Sequence, residues 1–186
     1  MSKAVFLYRT VTEFITNFAS SSFPLGHLPQ GTVNLQDSNL ASKYIADMSL
    51  AIEEARAGLR EGGIPVGSIL FRNGTILGRG HNMRIQRNDP TAHAEIECLR
   101  NAGRIGNYTD TILFSTLMPC HLCAGAIIQF KIGTVVGEDL NFGGTGELLE
   151  SHGVKVIDVD SKECVQLMAD FIRDNPKLWN EDIGTL

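Results

Sequence analysis

The segment TILFSTLMPCHLCAGAIIQFKIGTVV, residues 111–136, reads as strand, helix and strand in succession. Thr111 to Leu117 is an apolar-rich run of strand length, as a strand buried in a sheet requires. Pro119 suits a helix entry, where its missing N–H costs nothing, and Cys120 to Lys131 follow as helix. Thr134 to Val136 resume as strand. Alternation of this kind belongs to an α/β fold.

Working outward, His93 to Asn101 reads as a helix. Before it, Val66 to Phe71 and Thr75 to Arg79 flank Asn73-Gly74, a dipeptide that tolerates the positive φ of a tight hairpin turn. Between Ser42 and Leu59, residues Ile45, Met48, Ile52, Ala55 and Leu59 recur at helical spacing, and Gly62 and Gly63 supply the stop. Downstream, Val154 to Val159 forms a strand. Ser161 caps a helix through Phe171 and Arg173, and Pro176 ends it ahead of a Trp-containing tail. The expectation is a three-layer α/β/α sandwich around a mixed sheet of about five strands.

With 186 residues, 43% of them hydrophobic and 20% charged, the chain can bury a core of its own, which excludes collagen, coiled-coil and disordered classes. A formal charge of -5 provides no overall positive field for polyanions, so nucleic acid is not an expected partner without a local basic patch. Arg9, Glu13 and Lys131 interrupt the longest apolar stretches, and no membrane partner is expected. Residues 1–40 differ from the rest, ending in Ser-Ser-Ser, Pro24, Gly26, Pro29 and Gly31; they read as a variable extension and linker before a domain at 41–186. The weak apolar face of Leu7, Val11, Phe14, Ile15 and Phe18 hints at an organellar presequence, which Glu13 and the scarcity of Arg oppose. A cytoplasmic or nuclear location is the simpler expectation.

Four cysteines do not imply disulfide staples in a chain of this size; their spacing carries the information. Cys98 and Cys164 stand alone in apolar-periodic segments and read as small core residues. Cys120 and Cys123, three apart at a helix start, can turn both sulfurs toward one ion, and His93 at the start of another helix adds an imidazole. Three protein ligands leave the fourth tetrahedral position of a Zn2+ ion open to water, the pattern of a catalytic rather than a structural site. No second Cys-x-x-Cys is present to close a structural cage. Glu95, kept off the metal, can move protons between water and substrate. His121 points off the ligand face, while His27 and His152 lie in a linker and a turn.

The pairing of His93-Ala94-Glu95 with Pro119-Cys120-His121-Leu122-Cys123 is the motif of zinc nucleobase deaminases. The chain resembles the cytidine-deaminase-like superfamily, and most of all the fungal-type cytosine deaminases, over residues 41–186. The likeness extends through Glu61-Gly62-Gly63-Ile64-Pro65-Val66-Gly67, the stretch from Gly78 to Arg84, Cys123-Ala124-Gly125-Ala126-Ile127-Ile128, Val135-Val136-Gly137-Glu138, Asn141-Phe142 and Trp179 to Gly184.

The resemblance implies zinc-dependent deamination of free cytosine, or an analogue, to uracil and ammonia in pyrimidine salvage, by a homodimer. A hydroxide formed at the metal would attack C4 while Glu95 shuttles protons. It further implies that Asn82 reads the base edge, that the amide of Ala94 and the carbonyl of Met118 add contacts, and that Val66 forms an apolar wall. Phe142, Trp179 and Asp182 would close the pocket, Asp182 accepting from the exocyclic amine. The chain departs from that pattern at Ile85, where an aromatic is expected, and at His121 and Leu122. Asn88 to Glu95 is also similar to the bacterial tRNA adenosine deaminases, which makes A-to-I deamination of tRNA the alternative. A zinc-bearing binding subunit without turnover is a third reading, disfavoured by the presence of Glu95.

Overall fold

The computed structural model describes residues 38–138 and 145–185. The expected extension at residues 1–40 therefore lies outside the described residues apart from its last three, which already belong to a helix; Phe142 lies outside them too. The elements in chain order are α1 (Ser38–Arg60), β1 (Gly67–Arg72), β2 (Thr75–His81), α2 (Arg84–Arg87), α3 (Ala94–Ala102), β3 (Ile112–Ser115), α4 (His121–Phe130), β4 (Thr134–Gly137), α5 (Thr145–Ser151), β5 (Lys155–Asp158), α6 (Lys162–Asp174) and α7 (Pro176–Asp182). Three short helices, α2, α5 and α7, are additions to the order read from the sequence. None of the described helices is long and apolar enough to cross a membrane.

The sheet has five strands in the order β2-β1-β3-β4-β5. β1 runs antiparallel to β2 and β3, whereas β3, β4 and β5 run parallel to one another. Alternation along each central strand divides the core between two faces. Ile69, Phe71, Phe114, Val136 and Ile157 join Met48, Ala51 and Ile52 of α1 and Cys164 of α6 on one side. Leu70, Leu113 and Val135 join Cys98, Ala124, Ile127 and Leu149, from α3, α4 and α5, on the other. Both lone cysteines are fully buried, as their apolar surroundings in the sequence imply.

The apolar face of α1 is phased differently from its pattern of large residues. Ile45 and Leu59 are exposed, and the buried arc is Tyr44, Met48, Ala51, Ile52 and Ala55. Small residues occupy its centre because the sheet comes very close. A Cβ built on Gly67 would lie 2.0 Å from the carbonyl oxygen of Ala51.

A second close approach sets the site. Gly78 and Gly80 of β2 face α3, and a Cβ on either would meet the Cys98 backbone, at 2.4 Å from its oxygen and 2.6 Å from its nitrogen respectively. Helix α3, which follows His93, can thus lie directly on the hairpin. The hairpin turns at Asn73 and Gly74, with φ of 50° and 79°, the left-handed conformation expected of this dipeptide.

These approaches distinguish two glycines experimentally. Gly80→Ala forces the α3 backbone away and should destabilise the fold by about 1–3 kcal/mol, the cost of overpacking. Gly125→Ala, in α4 with nothing within 4 Å of its Cβ, should be neutral or stabilising by up to about 1 kcal/mol through helix propensity. Thermal melts of the two variants check the contrast.

Candidate metal centre and pocket

The carboxyl ends of β2, β3 and β4 lie at one edge of the sheet, where His81, Ser115 and Gly137 sit at equivalent register around the start of β1. Chain segments leaving this edge build the site. His93 is the N-cap residue of α3 and Cys120 that of α4, both with extended backbone. Neither side chain caps its helix. They turn to each other instead, with His93 Nδ1 3.4 Å from Cys120 Sγ.

Cys123, one turn into α4 and fully buried, completes a group whose three ligand atoms lie within 4.8 Å of one another. Two sulfurs and one nitrogen on a tetrahedral zinc, with bonds of about 2.3 and 2.0–2.1 Å, stand roughly 3.5–3.8 Å apart. The donor set and its spacing therefore fit zinc. His121 lies outside this group and is exposed, as the helix phase requires.

Charge in this cluster is strongly coupled. The Cys120 thiol is pushed down to about 3 by a hydrogen bond from Cys123 and another with His93, against the effect of burial. The proton is retained on Cys123, whose pKa is raised by its bond to Cys120 and by burial. For His93, burial favours the neutral ring, but the hydrogen bond and charge of Cys120 outweigh it and raise the pKa.

Glu95 is 4% exposed. Its Oε1 accepts from the Ser115 hydroxyl at 3.1 Å and its Oε2 from the Cys123 thiol at 3.3 Å. Burial raises its pKa, with the Cys120 charge adding to the effect. A carboxyl group with a raised pKa is suited to holding and returning a proton.

The remaining residues expected at the site form two groups. Val66, Ala94 and Trp179 share one buried cluster with Ile64, Met168 and Phe171, an apolar wall between the start of β1, α3 and the tail. The tail is helical, as α7, so Trp179 and Asp182 lie one turn apart. Asn82 is buried directly after β2, and its Oδ1 accepts from the Arg84 amide at 3.1 Å. The side chain thus caps a turn and keeps Nδ2 as a donor with no hydrogen bond among the described residues. Met118 follows β3, its amide bound to the Glu138 carbonyl at 2.8 Å. Asp182 pairs with Arg84, and Ile85 is exposed.

Two residues here escaped the sequence reading. Ser115 falls within a strand-like run, where period-two alternation gives its face but not its acidic partner. Arg84 sits in a quoted stretch, yet its partner Asp182 is 98 residues away.

Comparisons with known proteins agree with this geometry. Residues 41–138 match the family model described as the cytidine and deoxycytidylate deaminase zinc-binding region. A cytosine deaminase of Candida albicans is 44% identical over 141 residues, covering 74% of this chain and 94% of that protein. A tRNA-specific adenosine deaminase of Buchnera aphidicola is 46% identical over 99 residues, covering 52% of this chain and 60% of its own length. A solved structure from a study of A-to-I editing by tRNA:A34 deaminases superposes with a TM-score of 0.59 at 28% identity, over 64% of this chain and 96% of that one.

Elemental analysis tests the ligand set. Purified protein should carry one zinc per chain, and Cys123→Ser should leave it substoichiometric. Ser115→Ala, which alters only the carboxyl group's partner, should keep the full complement.

Proposed function

The chain belongs to the cytidine and deoxycytidylate deaminase family, and on that premise we propose that it hydrolyses free cytosine to uracil and ammonia, a reaction of pyrimidine salvage. The carrying observation is the seat of α7. Trp179 packs with Val66 and Ala94 on the same wall from which α3 leads to His93 and Glu95, closing the site with a flat aromatic surface suited to a planar base. The degree of similarity over comparable lengths favours the same reading: the cytosine deaminase is 44% identical over 141 residues, whereas a tRNA-specific adenosine deaminase of Streptococcus pyogenes is 34% identical over 139.

His93, Cys120 and Cys123 would hold the zinc, which when bound would supply a Lewis acid that makes water acidic near neutral pH. The chain's own residues do the rest. Were Cys123 to serve as a thiolate ligand, Oε2 of Glu95 would lose its thiol partner and be free to accept the proton of the attacking water. Ser115 meanwhile keeps Oε1 in place. The water oxygen bonds to C4 as Glu95 passes the proton to N3. Glu95 then takes the proton of the new C4 hydroxyl and delivers it to the amino group, so that C4=O forms as the C4–N4 bond breaks and uracil and ammonia leave.

Asn82 Nδ2 donates to the base edge. The Ala94 amide, at the open first turn of α3, adds a second donor, and the Met118 carbonyl accepts from the amine. Homodimerisation belongs to this reading. Leu122 and Phe130 of α4 are exposed at 44% and 46%, surface that a second copy would cover.

Ammonia release from cytosine, cytidine, guanine and adenosine in tRNA distinguishes the substrates. Turnover of cytosine alone is expected, and turnover confined to tRNA adenosine would replace this reading with its alternative. Glu95→Gln should retain zinc and lose about 10²–10⁴-fold in kcat. An unchanged rate would remove Glu95 from the proton path.

A further inference from the structure

Arg84 joins three parts of the pocket that are remote in sequence. Its amide holds Oδ1 of Asn82. Its Nε donates to the Pro90 carbonyl at 3.3 Å, in the loop that delivers His93. Its guanidinium grips α7, pairing with Oδ1 of Asp182 and, through Nη2, with Glu181 at 3.5 Å.

The pair with Asp182 is sheltered, with side chains 10% and 11% exposed. The carboxylate is also close enough to His93 and Cys120 for their charges to act on it. Among the described residues Oδ2 of Asp182 carries no hydrogen bond. A guanidinium holding one carboxylate oxygen fixes the direction of the other, and its planar fork does so with little freedom left.

We propose that Arg84 is a positioning residue for the deamination reaction: it fastens α7 over the pocket and turns Oδ2 of Asp182 toward the place of the departing amine. This deepens the cytosine reading and rests on it for its kinetic test. Arg84 acts through Asp182, so removing either residue loses the same aligned acceptor. No other described ion pair connects α7 to the body of the protein. The remainder of its attachment is apolar, through Trp179 and Leu178.

The experiment combines a double-mutant cycle with amide exchange. Arg84→Gln should lower kcat/KM on cytosine by about 10–100-fold, as misplacement of a substrate-orienting group does, with zinc content unchanged. Asp182→Asn should lose at least as much, and the double variant should be no worse than Asp182→Asn within about twofold. Arg84→Lys keeps the charge without the fork and should fall between wild type and Arg84→Gln; it serves as the second variant should Arg84→Gln not fold.

Hydrogen exchange at the amides of Ile183, Gly184 and Thr185 should accelerate in Arg84→Gln while α3 keeps its protection. Losses that multiply in the double variant, or fall in step with zinc content, would make Arg84 a merely structural residue and overturn the proposal. Exchange at α7 equal to wild type would overturn it as well. If the wild-type protein leaves cytosine unchanged, the substrate reading fails by itself, and exchange at α7 still decides whether Arg84 fastens the helix.

Discussion

Three ligand atoms borne at the starts of two helices must converge within 4.8 Å, although His93 and Cys120 lie 27 residues apart. The sheet meets this constraint. α3 packs on β2 and α4 leaves the end of β3, with β1 between those strands. Two strand spacings make roughly 9.5 Å, close to the 8–10 Å at which packed helices lie, so the helices can stand side by side on one face. The fit depends on α3 settling onto the backbone of β2, which Gly78 and Gly80 permit. A larger residue at either position would separate His93 from the cysteines before it disturbed any ligand directly.

Placing the ligands at helix N-caps has an electrostatic consequence. An N-cap side chain ordinarily accepts from the first turn, as Ser161 does from the amide of Cys164 at the start of α6. His93 and Cys120 forgo that bond, a stabilisation of about 1 kcal/mol at an ordinary cap. The first-turn amides of α3 and α4 consequently remain as positive ends beside the cysteines, where they favour sulfur as thiolate. The metal site and the Ala94 donor therefore have the same origin in two helices whose starts are left uncapped by side chains.

Much of this was legible in the sequence because the signals are local. Alternating apolar residues located the strands, Asn73-Gly74 the hairpin, and the spacing of His93, Glu95, Cys120 and Cys123 the centre. The phase of α1 was not, since hydrophobicity weighs Ile45 and Leu59 above Ala51 and Ala55, while the sheet selects for small volume where Gly67 touches the helix. Short helices such as α2 and α7 span too few turns to show a period. The role of Ser115 depends on a partner across the core, and that of Arg84 on one near the other end of the chain. An arginine shortly after a strand carries no sign in the sequence of whether its charge faces water or a sheltered carboxylate.

The pairing of Arg84 with Asp182 also belongs to the charge balance of the pocket. Two thiolates neutralise a divalent zinc, and Glu95 adds a buried carboxyl group that burial and the Cys120 charge push toward its protonated form. Burial raises the pKa of Asp182 as well, with the Arg84 charge as the largest influence opposing it. The two carboxyl groups differ instead in their partners. Glu95 has a hydroxyl and a thiol as its side-chain partners, neither of them charged, whereas Asp182 faces a guanidinium that aligns it. In the reaction we propose, a neutral base would meet one group that exchanges protons and one that orients the amine.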